Sequence, residues 1–410
     1  MSSGHAEDLF RRGEFLRLIE TAKPEVDANP KSGDVPTRLR LAEALALTGN
    51  VSKAVEIASP YAEARREAAV RAHAEYILAI AAWRSGNVTS AAKLFGLAVR
   101  DAVESKNVRC VAWTYLHTFR FYVDFHTADA VSSMLSLVRK AVIAAGDRQA
   151  TAYLHSCVSA LEGQNGRMSE AWRHCVIAES LLEDDPNAWI LGAILLNKGC
   201  LHLLRCEIKP AENQLIAARG AYAQSGNLGS IATGSLGYLQ LQTGKLAEAR
   251  RTLAPIIDDP TLAETRKPPL RETLARVHLA SNELDECAGQ LSTLLDKDDD
   301  DIPGYISRWA EITNARMLSR CGQAGVALKR LIEAERRNAL GDSHFAAALN
   351  LTMSQLLIAT GQRSEATRRL LLCDEAGITT QNDLQAQYYY ACSSMVDTPA
   401  VADQLMVGSS

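Results

Sequence analysis

The stretch from Trp113 to His126, WTYLHTFRFYVDFH, stands apart for the chemistry its side chains can do. It holds six of the 23 aromatic residues (Trp113, Tyr115, Phe119, Phe121, Tyr122 and Phe125) together with His117, Arg120, Asp124 and His126. Aromatic rings and arginine dominate binding hot spots, so this composition suits an aromatic-lined pocket or partner site. It equally suits a bulky local core, because such rings bury large apolar areas. Both readings hold if some rings face inward and others face a groove.

Covalent and metal chemistry find less support. His117 and His126 are nine residues apart, which is no ligand spacing. His174 and Cys175 are adjacent, so on a helix they point about 100° apart and do not readily share a metal. The acidic run Asp298–Asp301 lacks the spaced ligands and bend glycine of a calcium loop and reads as a solvated connection. No P-loop, dinucleotide fingerprint, nucleophile elbow or zinc-protease motif occurs. With no base–nucleophile pair and no ligand set, the sequence predicts no catalytic residue, no cofactor and no metal, and hence a protein that is not an enzyme.

Composition narrows the class further. The chain has 410 residues, 47% hydrophobic and 22% charged, with only 12 prolines, a bias that favours helix and excludes disorder. Its length exceeds one ordinary core, which leaves several domains or one elongated array. The net charge is −4, and basic groups such as Arg65–Arg66, Arg250–Arg251 and Arg368–Arg369 alternate with acids. No dense cationic footprint for direct nucleic-acid binding results. Nine cysteines, odd in number and without a CxxC, sit mostly in apolar stretches, as free thiols in a reducing compartment do. No signal peptide and no run of ~18 apolar residues is present, so a cytoplasmic location away from membranes is expected.

Turn glycines recur at Gly13, Gly49, Gly86, Gly166, Gly244, Gly322 and Gly361, separated by 36, 37, 80, 78, 78 and 39 residues. The long gaps are twice ~39, so each hides a repeat whose glycine is replaced, at His126–Thr127, Cys206–Glu207 and Ser281–Asn282. Five residues after the glycine comes alanine (Ala54, Ala91, Ala171, Ala249, Ala327, Ala366), and seven before it a small residue (Ala42, Ala79, Ser159, Gly237, Ala315, Ser354). The replaced repeats partly comply, with Gly199 and Ala211 in one and Ala275 and Cys287 in another. Closely packed antiparallel helices need small side chains where their axes cross, and a left-handed residue ends the first helix of each hairpin. The periodicity predicts helices over His73–Ser85 and Val88–Glu104.

A small residue, glycine seven later and alanine five after that resembles the tetratricopeptide repeat. Six registered copies carry the resemblance over most of 1–376, and Pro30 in DANP, Pro186 in EDDPN and Pro260 in DDP resemble its closing proline. The departure is length: near 39 residues rather than 34, as in long-repeat superhelical variants of bacterial regulators. The resemblance implies an all-α fold, a right-handed α-solenoid of about ten antiparallel helix pairs over 1–376, with 377–410 a partial repeat or capping tail. An eleventh pair begins near Asp383–Ser393, with a very short second helix near Ala400–Val407. The apolar tail either folds back as an irregular cap or the natural chain continues past Ser410, the second being favoured.

The resemblance also implies that the first helix of each pair lines a concave groove. The matching positions include His73, Tyr76, Ile80, Trp83 and Arg84 in the repeat closing at Gly86, then Tyr153 and Ser156, Tyr238 and Gln242, Glu272 and Arg276, and finally Trp309, Ile312, Arg316, Ser319 and Arg320. Two patches emerge. One combines Tyr76, Trp83 and Tyr153 with Trp113, His117, Arg120 and Phe121. The other is a cationic stripe, Arg276, Arg316 and Arg320 beside Trp309, which either grips a carboxylate-bearing peptide or anionic ligand or is balanced by Glu272 and Glu311. The implied function is an interaction scaffold for a protein, a peptide or a small-molecule signal, as the sensory part of a bacterial signalling or transcription-control system. The alternatives are a free-standing adaptor or assembly chaperone and, third, an enzyme with a groove-borne site marked by shifted titrations near 113–126.

Overall fold

A computed structural model of the chain describes residues 2–375 other than 29–33, 64, 126–127, 227–228, 261, 296–303 and 338–342, and beyond 375 only Tyr388, Ala391 and Cys392. Most of the expected eleventh pair, the tail and the 298–301 run lie outside the described residues. Among the described residues twenty α-helices follow one another: α1 (Ser3–Arg11), α2 (Phe15–Ala28), α3 (Val35–Thr48), α4 (Val51–Ala58), α5 (Ala68–Arg84), α6 (Val88–Ser105), α7 (Val108–Phe125), α8 (Ala128–Ala145), α9 (Arg148–Gln164) and α10 (Met168–Leu182). The second half continues with α11 (Ala188–Leu204), α12 (Ile208–Ala221), α13 (Gly229–Gln242), α14 (Leu246–Ile257), α15 (Lys267–Ala280), α16 (Leu284–Leu295), α17 (Gly304–Arg320), α18 (Ala324–Arg337), α19 (Ser343–Ala359) and α20 (Arg363–Glu375). They pack as ten consecutive hairpins, an all-α solenoid.

The two helices of a pair bury different amounts because they hold different positions in the stack. In α6, Val88, Ala91, Phe95, Ala98 and Ala102 fall three or four apart on one buried face. In α5, Ala72, Ala74, Tyr76, Ile77, Ala79, Ile80, Ala81 and Trp83 are buried on several faces, as a helix sandwiched between neighbours must be. Each fully buried large side chain, such as Phe95 or Ile77, contributes roughly 1.5–3 kcal/mol of transfer free energy.

The turns explain the register. All seven repeat glycines have positive φ, between 72° and 100°. At the two replacement sites within the described residues, Cys206 (φ 55°) and Asn282 (φ 61°) adopt the same left-handed conformation. Their hydrogen bonds match as well. Gly86 donates to Trp83 at 3.0 Å and Asn87 to Ala82 at 2.9 Å, while Cys206 donates to Leu203 and Glu207 to His202, both at 2.9 Å. This double bond to the last turn satisfies carbonyls that the helix end would orphan. His126–Thr127 lies outside the described residues.

Small residues sit at the crossings for a measurable steric reason. A Cβ on Gly237 would lie 2.7 Å from Leu253 of the paired helix, and one on Gly199 2.7 Å from Leu215. Ser159 donates its hydroxyl to the Ala171 carbonyl at 2.8 Å. All six registered alanines after the turns are fully buried.

The stack winds tightly enough that its second turn touches its first. The α1–α2 turn meets the loop before α11: Ala188 N–H donates to the Arg12 carbonyl at 2.9 Å, and Asn187 and Gln149 side-chain amides donate to the Arg11 carbonyl at 2.8 and 3.0 Å. Arg11 pairs with Asp185 at 2.6 Å, and the Ser225 hydroxyl donates to the Gly13 carbonyl at 3.1 Å. A Cβ on Gly226 would lie 2.9 Å from Thr48. These contacts fold the groove into a partly enclosed channel.

Candidate functional site

Eight successive first helices, from α3 through α17, contribute side chains to a central cavity of about 550 Å³. A more open hollow of about 630 Å³ adjoins it, sharing Tyr238 and Arg276 and continuing to α19. Volumes of this order are those of ligand sites.

His117, Tyr153 and Trp189 of the lining belong to a rail of stacked rings. His73 lies on Tyr76 with centroids 5.0 Å apart, Tyr76 on His117 at 5.2 Å, and His117 on Trp189 at 6.2 Å. Tyr153 meets Trp189 at 4.7 Å and Trp113 at 6.1 Å. Two of these rings come from α5, two from α7 and one each from α9 and α11. At its α3 end sits the buried Glu43 carboxylate, 2.7 Å from Arg40, 3.0 Å from His73 Nε2 and 3.9 Å from His117 Nε2. Burial alone would raise the Glu43 carboxyl, but Arg40 and the His73 hydrogen bond outweigh it and hold it at about 2. Burial pushes the His117 imidazole down to about 4 although Glu43 pulls the other way, so it is neutral at pH 7.

The lining is also cationic. Arg84, Arg120, Arg266 and Arg276 face the cavity with only two carboxylates, Asp124 and Glu272. Arg120 pairs with Asp124 at 2.8 Å, which keeps its guanidinium above the ordinary value despite burial. Arg276 pairs with Glu272 at 3.3 Å and lies 5.1 Å over the Trp309 ring and 5.5 Å over Tyr238. Among the described residues neither Arg84 nor Arg266 has a carboxylate at ion-pair distance, and Asp124 acts on Arg84 only from further off. Burial pushes Arg84 down to about 10, and it pushes Arg266 well below its usual range, with the Arg84 charge adding to the effect. Among the described residues, Arg84 Nε, Arg266 Nε and Nη2 and the Thr265 hydroxyl are buried without a hydrogen-bond partner.

Of the residues singled out from sequence, Trp83, His117, Arg120, Tyr153, Tyr238, Arg276 and Trp309 line the cavity. Arg316 and Arg320 line the adjoining hollow, where Arg316 Nε donates to Thr352 Oγ1 at 3.2 Å and Arg320 to the Leu279 carbonyl at 2.6 Å. Tyr76 is enclosed in the ring rail, and Trp113 donates its indole N–H to Asp147 at 3.4 Å. Phe121 lies within the core, 0% exposed, against Phe95 at 5.2 Å and Trp83 at 5.8 Å. The segment 113–125 is thus divided between core and channel. Arg84 falls on a predicted groove position. Arg266 and Tyr222 do not: they belong to connections between helices, which the repeat register leaves unassigned, and no sequence signal marks them.

Among the described residues no group of three or more His, Cys, Asp or Glu could hold a metal ion, and no helix is long and apolar enough to cross a membrane. No family model and no curated protein sequence matches the chain. Solved structures do. A Rap protein complexed with competence and sporulation factor is 13% identical, with a TM-score of 0.54 over 83% of this chain and 99% of that one. The P58(IPK) TPR domain is 11% identical over 91% of this chain and 99% of that chain, with a TM-score of 0.28. Naa15/Naa10 bound to HypK-THB is 11% identical over 99% of this chain and 76% of that chain, with a TM-score of 0.24. The fold shown by the helix hairpins and by the first of these likenesses is a TPR-like α-solenoid.

Proposed function

We propose that the chain is a signal-responsive interaction scaffold that takes a peptide, or an extended segment of a partner protein, into its central channel. The observation that carries this reading is the cavity of about 550 Å³ walled by eight successive first helices. A ligand lying along it touches many repeats at once, so its binding energy is spread over the winding of the whole stack. Stacked rings and arginine supply the anchors typical of peptide recognition. The Rap protein of similar fold was solved with competence and sporulation factor, and this supports a regulatory role, within a bacterial signalling or transcription-control system, for a superhelix of this shape.

The test fills the channel. Ala193 on α11 lines it, and Ala193→Trp places an indole in the ligand's path. Wild type and variant are used to capture partners from an extract of the native host, with helical content checked by circular dichroism. A partner retained by wild type and lost with a folded A193W supports the reading; an identical set retained by both sinks it.

A further inference from the structure

We propose that the channel's ligand is an anion, whose carboxylate or phosphate group sits between Arg84 and Arg266. This rests on the reading that the channel takes a ligand, and deepens it by naming the charge the ligand must carry.

Several enclosed arginines are paired with carboxylates. Arg40 has Glu7 and Glu43, Arg71 has Asp101, Arg120 has Asp124, Arg276 has Glu272 and Arg369 has Glu335. Each buried cation in that series is answered by a carboxylate within 3.3 Å. Arg84 and Arg266 break that pattern on the wall of the central cavity. A guanidinium does not shed its charge in a protein, so burial without a counter-ion leaves a standing electrostatic cost. Of the side chains lining the cavity, four arginines and two carboxylates carry charge, which leaves a formal excess of two positive charges.

Burial and unpartnered donors mark where an anion would be held. Arg266 is only 7% exposed, yet it lines the cavity with Nε and Nη2 unpartnered, and the neighbouring Thr265 hydroxyl is likewise unpartnered. Arg266 also stands at the N-terminal end of the 14-residue helix α15, the positive end of its dipole. That position disfavours an unpaired cation and favours an anion. Arg84 lies 5.0 Å over the Trp83 ring, which orients its planar group without neutralising it. Planar forks of this kind recognise carboxylate and phosphate oxygens bidentately.

The two arginines come from successive turns of the superhelix. Arg84 ends α5, and the Gly86 turn that follows packs against Glu264, beside Arg266. An anion between them links the first turn to the second and stabilises the closed winding.

Thermal melts of the full chain test this with succinate, inorganic phosphate and chloride at matched ionic strength, on wild type, Arg266→Met and Arg84→Met. The proposal expects succinate or phosphate to raise the wild-type Tm, with neither variant responding and affinity falling at least tenfold. It also expects ligand-free R266M to melt above wild type, because an uncompensated charge has gone. The larger of the two responses identifies carboxylate or phosphate. No anion response in wild type overturns the proposal, as does a variant that melts lower while responding like wild type. If one variant fails to fold, the other decides alone. A hexapeptide pool with free C-termini, compared with an amidated pool lacking Asp and Glu, separates the two readings. Preferential retention of the free acids supports both. Equal retention overturns the anion site and leaves the channel. Retention of neither, with succinate still bound, overturns the peptide and leaves the anion site supported.

Discussion

His117 shows how a single side chain couples the rail to solution conditions. Its ring is enclosed by Tyr76 of α5, Tyr153 of α9 and Trp189 of α11, with Glu43 of α3 at 3.9 Å and His73 further along the rail. Burial lowers its folded-state pKa from 6.5 to about 4. As pH falls, the unfolded chain therefore takes up the proton first. The stabilisation is complete above ~6.5 and is lost on the way down to about 4. His155, also pushed to about 4 by burial and by His174 against it, acts in the same direction, whereas Glu75, raised to about 7, opposes both. His117→Gln keeps the volume and removes the titration. Urea melts at pH 7 and pH 4.5 are expected to show the variant losing about 2–3 kcal/mol less than wild type between them. An unchanged difference would show that the imidazole titrates normally.

At the scale of the helix pair, the turn residue decides the hairpin and its neighbours decide how closely it shuts. Cys206 adopts a left-handed conformation that penalises a side chain, while Asn282 is of a type that tolerates it. Cys206→Gly is expected to stabilise by about 0.5–1 kcal/mol after the entropy of the freer unfolded chain is counted, and Asn282→Gly to be neutral within about 0.5 kcal/mol. Chemical denaturation of both variants checks the order; a Cys206→Gly chain less stable than wild type would contradict it. This scale was the most legible in the sequence. Helices predicted over His73–Ser85 and Val88–Glu104 are observed at Ala68–Arg84 and Val88–Ser105. Both described turns without glycine are left-handed where the 39-residue spacing required a left-handed residue. The reason is that a hairpin's register depends on neighbours within about forty residues, and its steric demands are met by residue type alone.

At the scale of the molecule, closure depends on contacts that no repeat register contains. Gly13 and Gly244 have nearly the same φ, 72° and 74°, but a Cβ on Gly13 would lie 2.6 Å from Trp189 N and 2.9 Å from Asn187 Oδ1, while one on Gly244 meets nothing within 4 Å. Both alanine variants carry the left-handed penalty of roughly 1–2 kcal/mol. Gly13→Ala alone must also push the α1–α2 turn off the loop before α11, an overpacking of about 1–3 kcal/mol more. Thermal unfolding and small-angle scattering of the pair are expected to show G13A less stable and more open than G244A. Equal behaviour would mean that the two superhelical turns do not bear on each other.

What could be read along the chain was the unit: an all-helical hairpin, its length and its turn, because each follows from periodicity and side-chain size within one repeat. How those units wind was not readable, since a small rotation per pair, summed over the stack, decides whether Arg11 meets Asp185. The same winding sends Phe121 into the core while Arg120 beside it faces the channel, and it sets Arg266, from a connection without register, on the same cavity as Arg84. A charge excess between groups 182 residues apart exists only once the superhelix has closed.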